Sequence, residues 1–150
     1  MKNLVWRVAL WVVVATGSVV SEAQTAAPVG GDGLAHSGVF PFDQMTVRKM
    51  VSGGESRDVL NGVLMSGEVV AVHESMQPAG AVPVVLHTIQ HSELILVQEG
   101  TVAFEHDGKS EPVGAGGVIY VALGTLHRIK NVGDGPAKYF VVQVGGDTKK

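Results

Sequence analysis

The sequence predicts an all-β domain, and three features carry that prediction. From Val39 onwards short apolar segments alternate with turn residues. No stretch keeps a 3.6-residue apolar period for three turns. Glu99-Gly100, Asp107-Gly108 and Gly133-Asp-Gly-Pro136 place glycine where tight turns between antiparallel neighbours need positive φ. Strands are expected at 45–50, 58–65, 68–75, 83–88, 93–98, 101–106, 111–113, 118–121, 126–131 and 138–144. With no repeat at a solenoid period, that succession suits a single jelly-roll β-barrel.

In chain order, the first element is not part of that barrel. Lys2 and Arg7 precede an apolar run from Val8 to Val20, and Ser21-Glu-Ala23 offers a small-x-small cleavage site. This is the pattern of a secretory signal peptide spanning 1–23, with cleavage after Ala23. The run is shorter than the ~20 residues that cross a bilayer, so a retained N-terminal anchor is the weaker alternative and no membrane contact is expected after cleavage. A periplasmic or secreted protein is the expectation. Residues 24–38, QTAAPVGGDGLAHSG, are small, polar and glycine-rich and read as a flexible leader that includes His36. The barrel domain is expected over 39–150.

The 150-residue length accommodates one domain with a core of ordinary size. No cysteine is present, so an exported domain must be held by its core or by association. Removing Lys2, Arg7 and Glu22 from 11 basic and 14 acidic residues leaves 9 and 13, a net charge of −4 with histidines neutral. That balance, without any Lys/Arg cluster beyond the terminal Lys149-Lys150 pair, argues against nucleic acid as a partner.

Two stretches carry the chemistry. Residues 116–131, GGVIYVALGTLHRIKN, space Gly116, Gly124, His127 and Asn131 as Gly-x7-Gly-x2-His-x3-Asn. Upstream, residues 78–100, PAGAVPVVLHTIQHSELILVQEG, hold His87, Glu93 and Gly100. These stretches resemble the second and first conserved motifs of the cupin superfamily. The similarity spans about residues 70–145, with a motif core at 78–131, and is nearest in wording to small, single-domain, exported bacterial cupins of type-2 character. Two positions depart from the family pattern. Ala122 stands where the family has proline, and Ile89 stands where it has a second histidine, two residues after the first.

The resemblance implies that His87, Glu93 and His127 are metal ligands projecting into a small barrel. Two imidazoles and a carboxylate suit a divalent first-row ion such as Fe(II), Mn(II), Ni(II) or Zn(II), and leave coordination positions for substrate or dioxygen. Six residues of straight strand would separate His87 from Glu93 by ~20 Å, so the chain must bend within Thr88–Ser92. Period-2 alternation then sends Glu93, Ile95 and Val97 to one face and Leu94 and Leu96 to the other. His91, in that bend, is either a replacement ligand for the one missing at Ile89 or a solvent-facing loop histidine. Asn131 is expected to stabilise a turn through side-chain to backbone hydrogen bonds. His73 and His106, outside both motifs, are expected at the surface, Arg128 is expected to face away from the metal, and Arg48 and Arg57 are unplaced.

Two functional readings of different class follow. In one, the protein is a metal-dependent enzyme acting on a small polar or carboxylate-bearing molecule. In the other, it is a metal-free small-molecule-binding module without catalysis. The superfamily includes dioxygenases, decarboxylases, isomerases, a hydrolase and non-enzymatic binders, so the fold does not choose among them. A homodimer formed through sheet packing is compatible with either.

Overall fold

Residues 34–146 are described by the computed structural model; the expected signal peptide, leader residues 24–33 and the C-terminal 147–150 lie outside the described residues. A 3₁₀ turn at Phe42–Gln44 precedes nine described strands: β1 (Val47–Lys49), β2 (Glu55–Val63), β3 (Val69–Gln77), β4 (Ser92–Glu99), β5 (Thr101–His106), β6 (Lys109–Gly114), β7 (Val118–Val121), β8 (His127–Asn131) and β9 (Ala137–Val144). They form a six-stranded sheet in the order β1-β2-β3-β9-β4-β7 and a three-stranded sheet in the order β6-β5-β8. Every strand pairing within the two sheets is antiparallel.

The core follows from alternation. On β4, Glu93, Ile95 and Val97 are buried while Leu94 and Leu96 are exposed at 41% and 40%, as the period-2 pattern predicts. Ile119 and Val121 of β7 and Ala137, Tyr139 and Val141 of β9 continue the buried face, which packs on Val102, Phe104 and Ile129 of the smaller sheet. Of the turns, Asp107 and Gly108 take φ values of 47° and 72° in a two-residue loop closed by the His106–Lys109 pair. Positive φ at both central positions is the type I′ geometry that matches strand twist.

The expected Gly133–Pro136 turn is built differently, since neither of its glycines has positive φ. Asn131 organises it. Its Oδ1 accepts from the Gly133 N–H at 2.9 Å, and its Nδ2 donates to the carbonyls of Gly135 and Gln77 at 2.8 and 2.9 Å. Gln77 returns the contact by accepting the Asn131 backbone N–H at 2.8 Å, and donates to the Tyr139 hydroxyl at 2.7 Å. This knot joins the two sheets at one end of the barrel.

One expected strand is missing. Residues 83–88 are not in either sheet apart from a single antiparallel bridge between His87 and His127. The physical reason lies in the segment itself. Pro83, at its start, has no N–H to offer a ladder, and β-branched valines favour an extended backbone whether or not it is paired.

Arg57 also finds a place. Its guanidinium lies over the Phe42 ring at 4.4 Å, donates to Glu55 at 2.8 Å, and meets the fully buried Glu74 at 3.1 Å, fastening the N-terminal segment to β2 and β3. Replacing Asn131 by Ala should lower the unfolding free energy by about 2–3 kcal/mol, because it strips partners from buried backbone groups. Urea denaturation checks this, with the midpoint falling and the slope unchanged.

Candidate metal centre

Glu93 enters the barrel because β4 begins at Ser92, immediately after a bend at Gln90 and His91. The bend lies within the expected Thr88–Ser92 span. It is fixed from outside by Gly124, whose N–H donates to the Ile89 carbonyl at 2.9 Å and whose φ of 81° is open to glycine. The second motif is thereby fastened to the first. His127 follows three residues later at the start of β8, where its backbone exchanges two hydrogen bonds of 2.9 and 3.0 Å with His87. The bridge sets the two rings side by side, with centroids 4.8 Å apart.

At the centre lies the Glu93 carboxylate, 6% exposed. Its Oε1 accepts from His91 Nε2 and from Gln143 Nε2, both at 3.0 Å. Its Oε2 lies 3.6 Å from His127 Nε2. Burial pushes the Glu93 carboxyl up, but the contacts with His127, His91 and Gln143 prevail and hold it at about 2. Burial pulls His127 down, and the Glu93 carboxylate and the Thr125 carbonyl together leave it raised above the ordinary histidine value.

The tautomers are set by the backbone. His127 Nδ1 donates to the carbonyl of Thr125 at 3.0 Å, and His87 Nδ1 donates to the carbonyl of Val85 at 3.1 Å. In each case the acceptor lies two residues upstream. With the proton on Nδ1, the Nε2 lone pair of a neutral ring is left for another partner, which is how ligating histidines are ordinarily held. For His127 that lone pair faces a carboxylate oxygen, an arrangement that calls for a proton or a cation between them. Two donors each ~2.1 Å from one ion at a tetrahedral angle are roughly 3.4 Å apart, close to the His127–Glu93 separation. The donor chemistry therefore fits a divalent ion held by Glu93 and His127, with the exposed His87 on the solvent side. Among the described residues, no group of three or more His, Cys, Asp or Glu side chains is placed so as to hold a metal ion, so the expected set of His87, Glu93 and His127 is not assembled as a three-ligand site.

His91 is not the solvent-facing loop histidine that was one expectation for it. It is 8% exposed, so it does not face solvent, and its Nε2 is spent on Glu93. It fixes the carboxylate rather than joining its Oε2 face, and its Nδ1 is buried without a partner. Ile89, in the position of the missing histidine, packs into the core cluster at 8% exposure. Gln143 is a site residue that the sequence did not single out. Only its register opposite Glu93 across β9 and β4 reveals it. Two surface expectations also change: His73 is half-buried on β3, and His106 stacks on Phe104 with centroids 4.1 Å apart. Arg128 is turned to Glu105, away from the centre.

With this geometry in view, comparison with known proteins is decisive. A family profile described as "Cupin domain" matches residues 72–143. These residues form a cupin domain. Solved cupin structures share the fold at low identity. An RmlC-like cupin from Shewanella frigidimarina is 17% identical, with a TM-score of 0.62, covering 75% of this chain and 95% of that one. A predicted oxalate decarboxylase from Thermotoga maritima is 21% identical, with a TM-score of 0.57 and coverage of 71% and 97%. A sugar phosphate isomerase from a cupin superfamily, from Silicibacter pomeroyi, is 20% identical, with a TM-score of 0.59 and coverage of 71% and 74%. No curated protein matches the sequence. Within this cupin, Ile89 acts as a packing residue, so Ile89→Ala should lose about 2–4 kcal/mol of stability by leaving a cavity. Thermal unfolding of the variant beside Ile89→Val, expected to lose about 1 kcal/mol, tests that assignment.

Proposed function

We propose that this cupin is an exported protein that binds a divalent metal ion, Fe(II), Mn(II), Ni(II) or Zn(II), in its barrel and acts on a small polar or carboxylate-bearing molecule. The observation that carries the reading is the His127–Glu93 contact. An imidazole with its Nδ1 proton committed to a backbone carbonyl presents Nε2 to a buried carboxylate oxygen. His127 and Glu93 would hold the ion, and His87, with its tautomer fixed in the same way, would supply the third donor. When bound, such an ion supplies Lewis acidity toward a carbonyl or carboxylate oxygen, or activation of water.

The chain's own residues account for the rest of the centre. His91 and Gln143 occupy Oε1 and fix the carboxylate's rotation, so that Oε2 stays on the His127 side. The Val85 and Thr125 carbonyls hold the two rings in place. Ile95, Val121 and Val141 keep bulk water from the inner face. The two neighbours described as a decarboxylase and an isomerase both belong to enzymes of small oxygen-rich molecules, which agrees with a catalytic role without naming the reaction. Leu94, Leu96, Val118 and Tyr120, exposed together on the outer face of β4 and β7, support a homodimer packed through that sheet.

A second reading, a metal-free binding module, is favoured by Ile89 and by Glu93, whose Oε1 is satisfied from within the protein. Elemental analysis of protein purified without chelators or a histidine tag separates the two. Near-stoichiometric metal is expected, falling at least tenfold in His127→Ala with the circular dichroism spectrum retained. Full occupancy in that variant, or no uptake by the native protein from Fe(II), Mn(II), Ni(II) or Zn(II), would sink the metal reading.

A further inference from the structure

The stretch that stays out of the sheets forms one side of a cavity. A space of ≈ 730 Å³ lies between the segment Val82–Val85 and residues of β1, β2 and β3. Strand register shows which face of the sheet this is. Ser75 is opposite Tyr139 and His73 is opposite Val141, and both partners are core residues. Ser56 is opposite Ser75, and Arg48 is opposite Ser56. Directly paired residues share a face, so Arg48, Ser56, His73 and Ser75 belong to the inner side of the barrel.

The lining has a definite chemistry. Its ionisable members, Arg48, Lys49 and His73, are all basic. Lys49 is engaged by Glu55, whereas Arg48 is held through one Nη2 contact of 2.5 Å to Asp58. A guanidinium carries five N–H donors in a planar fork, so a single contact orients it and leaves donors for a carboxylate. The buried Ser56 and Ser75 share the lining, and Val82, Val84 and Val85 present an apolar wall. Cavities of this size with one charged recognition group and apolar walls suit small organic molecules. Val85, at the end of that wall, also carries the carbonyl that accepts from His87 Nδ1.

We propose that this cavity binds a small organic carboxylate, with Arg48 taking the carboxylate and the Val82–Val85 wall covering the apolar body. This rests on the reading of the barrel as a small-molecule site, and names the ligand's class and its anion-recognising residue; it does not require the metal.

The probe is 3-phenylpropionate, titrated calorimetrically into the protein produced from the full chain after chelator treatment, and again after loading with Mn(II). The uncharged 3-phenylpropionamide serves as comparison. The carboxylate should bind with or without metal, the amide at least tenfold more weakly, and Arg48→Gln should weaken carboxylate binding at least tenfold while leaving the amide unchanged. Arg48→Lys, which keeps charge but not the fork, should fall between. Arg48 lies on an exposed edge strand, so both variants should match the native melting temperature. No binding by the native protein, equal affinity for acid and amide, or an unaffected Arg48→Gln would each overturn the proposal. Carboxylate binding that needs Mn(II) and ignores Arg48→Gln overturns it while leaving the metal reading standing. Arg48-dependent binding by protein that takes up no metal upholds it and removes the metal reading alone.

Discussion

A carboxylate buried in an apolar barrel is the constraint on which the rest of the site depends. An ionised carboxyl withdrawn from water is destabilising by several kcal/mol unless hydrogen bonds and opposite charge replace its hydration. Glu93 draws those partners from three places in the chain: His91 in the bend before β4, Gln143 on β9 and His127 on β8. The last belongs to the other sheet. The carboxylate can therefore be satisfied only when the β4–β9 register is correct, the Gln90–His91 bend is formed and the smaller sheet has docked. The Gly124–Ile89 hydrogen bond and the His87–His127 bridge supply that docking.

Such an arrangement is a poor way to stabilise a fold. Replacing a buried ion pair by apolar side chains of similar volume is often neutral or favourable, and Ile89 shows that this core accepts aliphatic packing beside the centre. The Glu93 cluster is better explained by what it can do. Both histidines of the bridge have one nitrogen committed to a carbonyl, and the carboxylate has one oxygen committed to His91 and Gln143. What remains uncommitted in each group is one ligating atom.

Much of this was legible because alternation and turn chemistry are local. The inward set Glu93, Ile95 and Val97, the Asp107-Gly108 hairpin and the turn-building role of Asn131 all follow from residues near one another in the chain. The 83–88 stretch was misread because β-branched composition reports an extended backbone, whereas membership of a sheet needs N–H groups available to a neighbour. Gln143 was invisible for a related reason. A neutral amide on an inward strand position acquires meaning only when the register sets it against Glu93. His91 escaped the solvent-facing expectation because a bend can turn a side chain inwards. The motif resemblance implied a shared site for His87, Glu93 and His127; the structure sets His127 against Glu93 and against His87, and no spacing rule alone would have supplied those two contacts.

The two ends of the barrel show how far polarity can be read as purpose. Ala137, opposite Gln77, and Gln143, opposite Glu93, lie six residues apart on β9, or about 20 Å. At the first end Gln77, Asn131 and Tyr139 are neutral and satisfy one another and the backbone around them. A closed neutral network of this kind rigidifies a fold and asks for nothing more. At the second end the groups are ionisable, His91 Nδ1 is buried without a partner, and His127 Nε2 faces an oxygen that it can meet only with a proton or a cation between them. Equal burial with unequal satisfaction separates the structural end from the chemical one. The segment Val82–Val85 is joined to that end through the Val85 carbonyl, which accepts from His87 Nδ1.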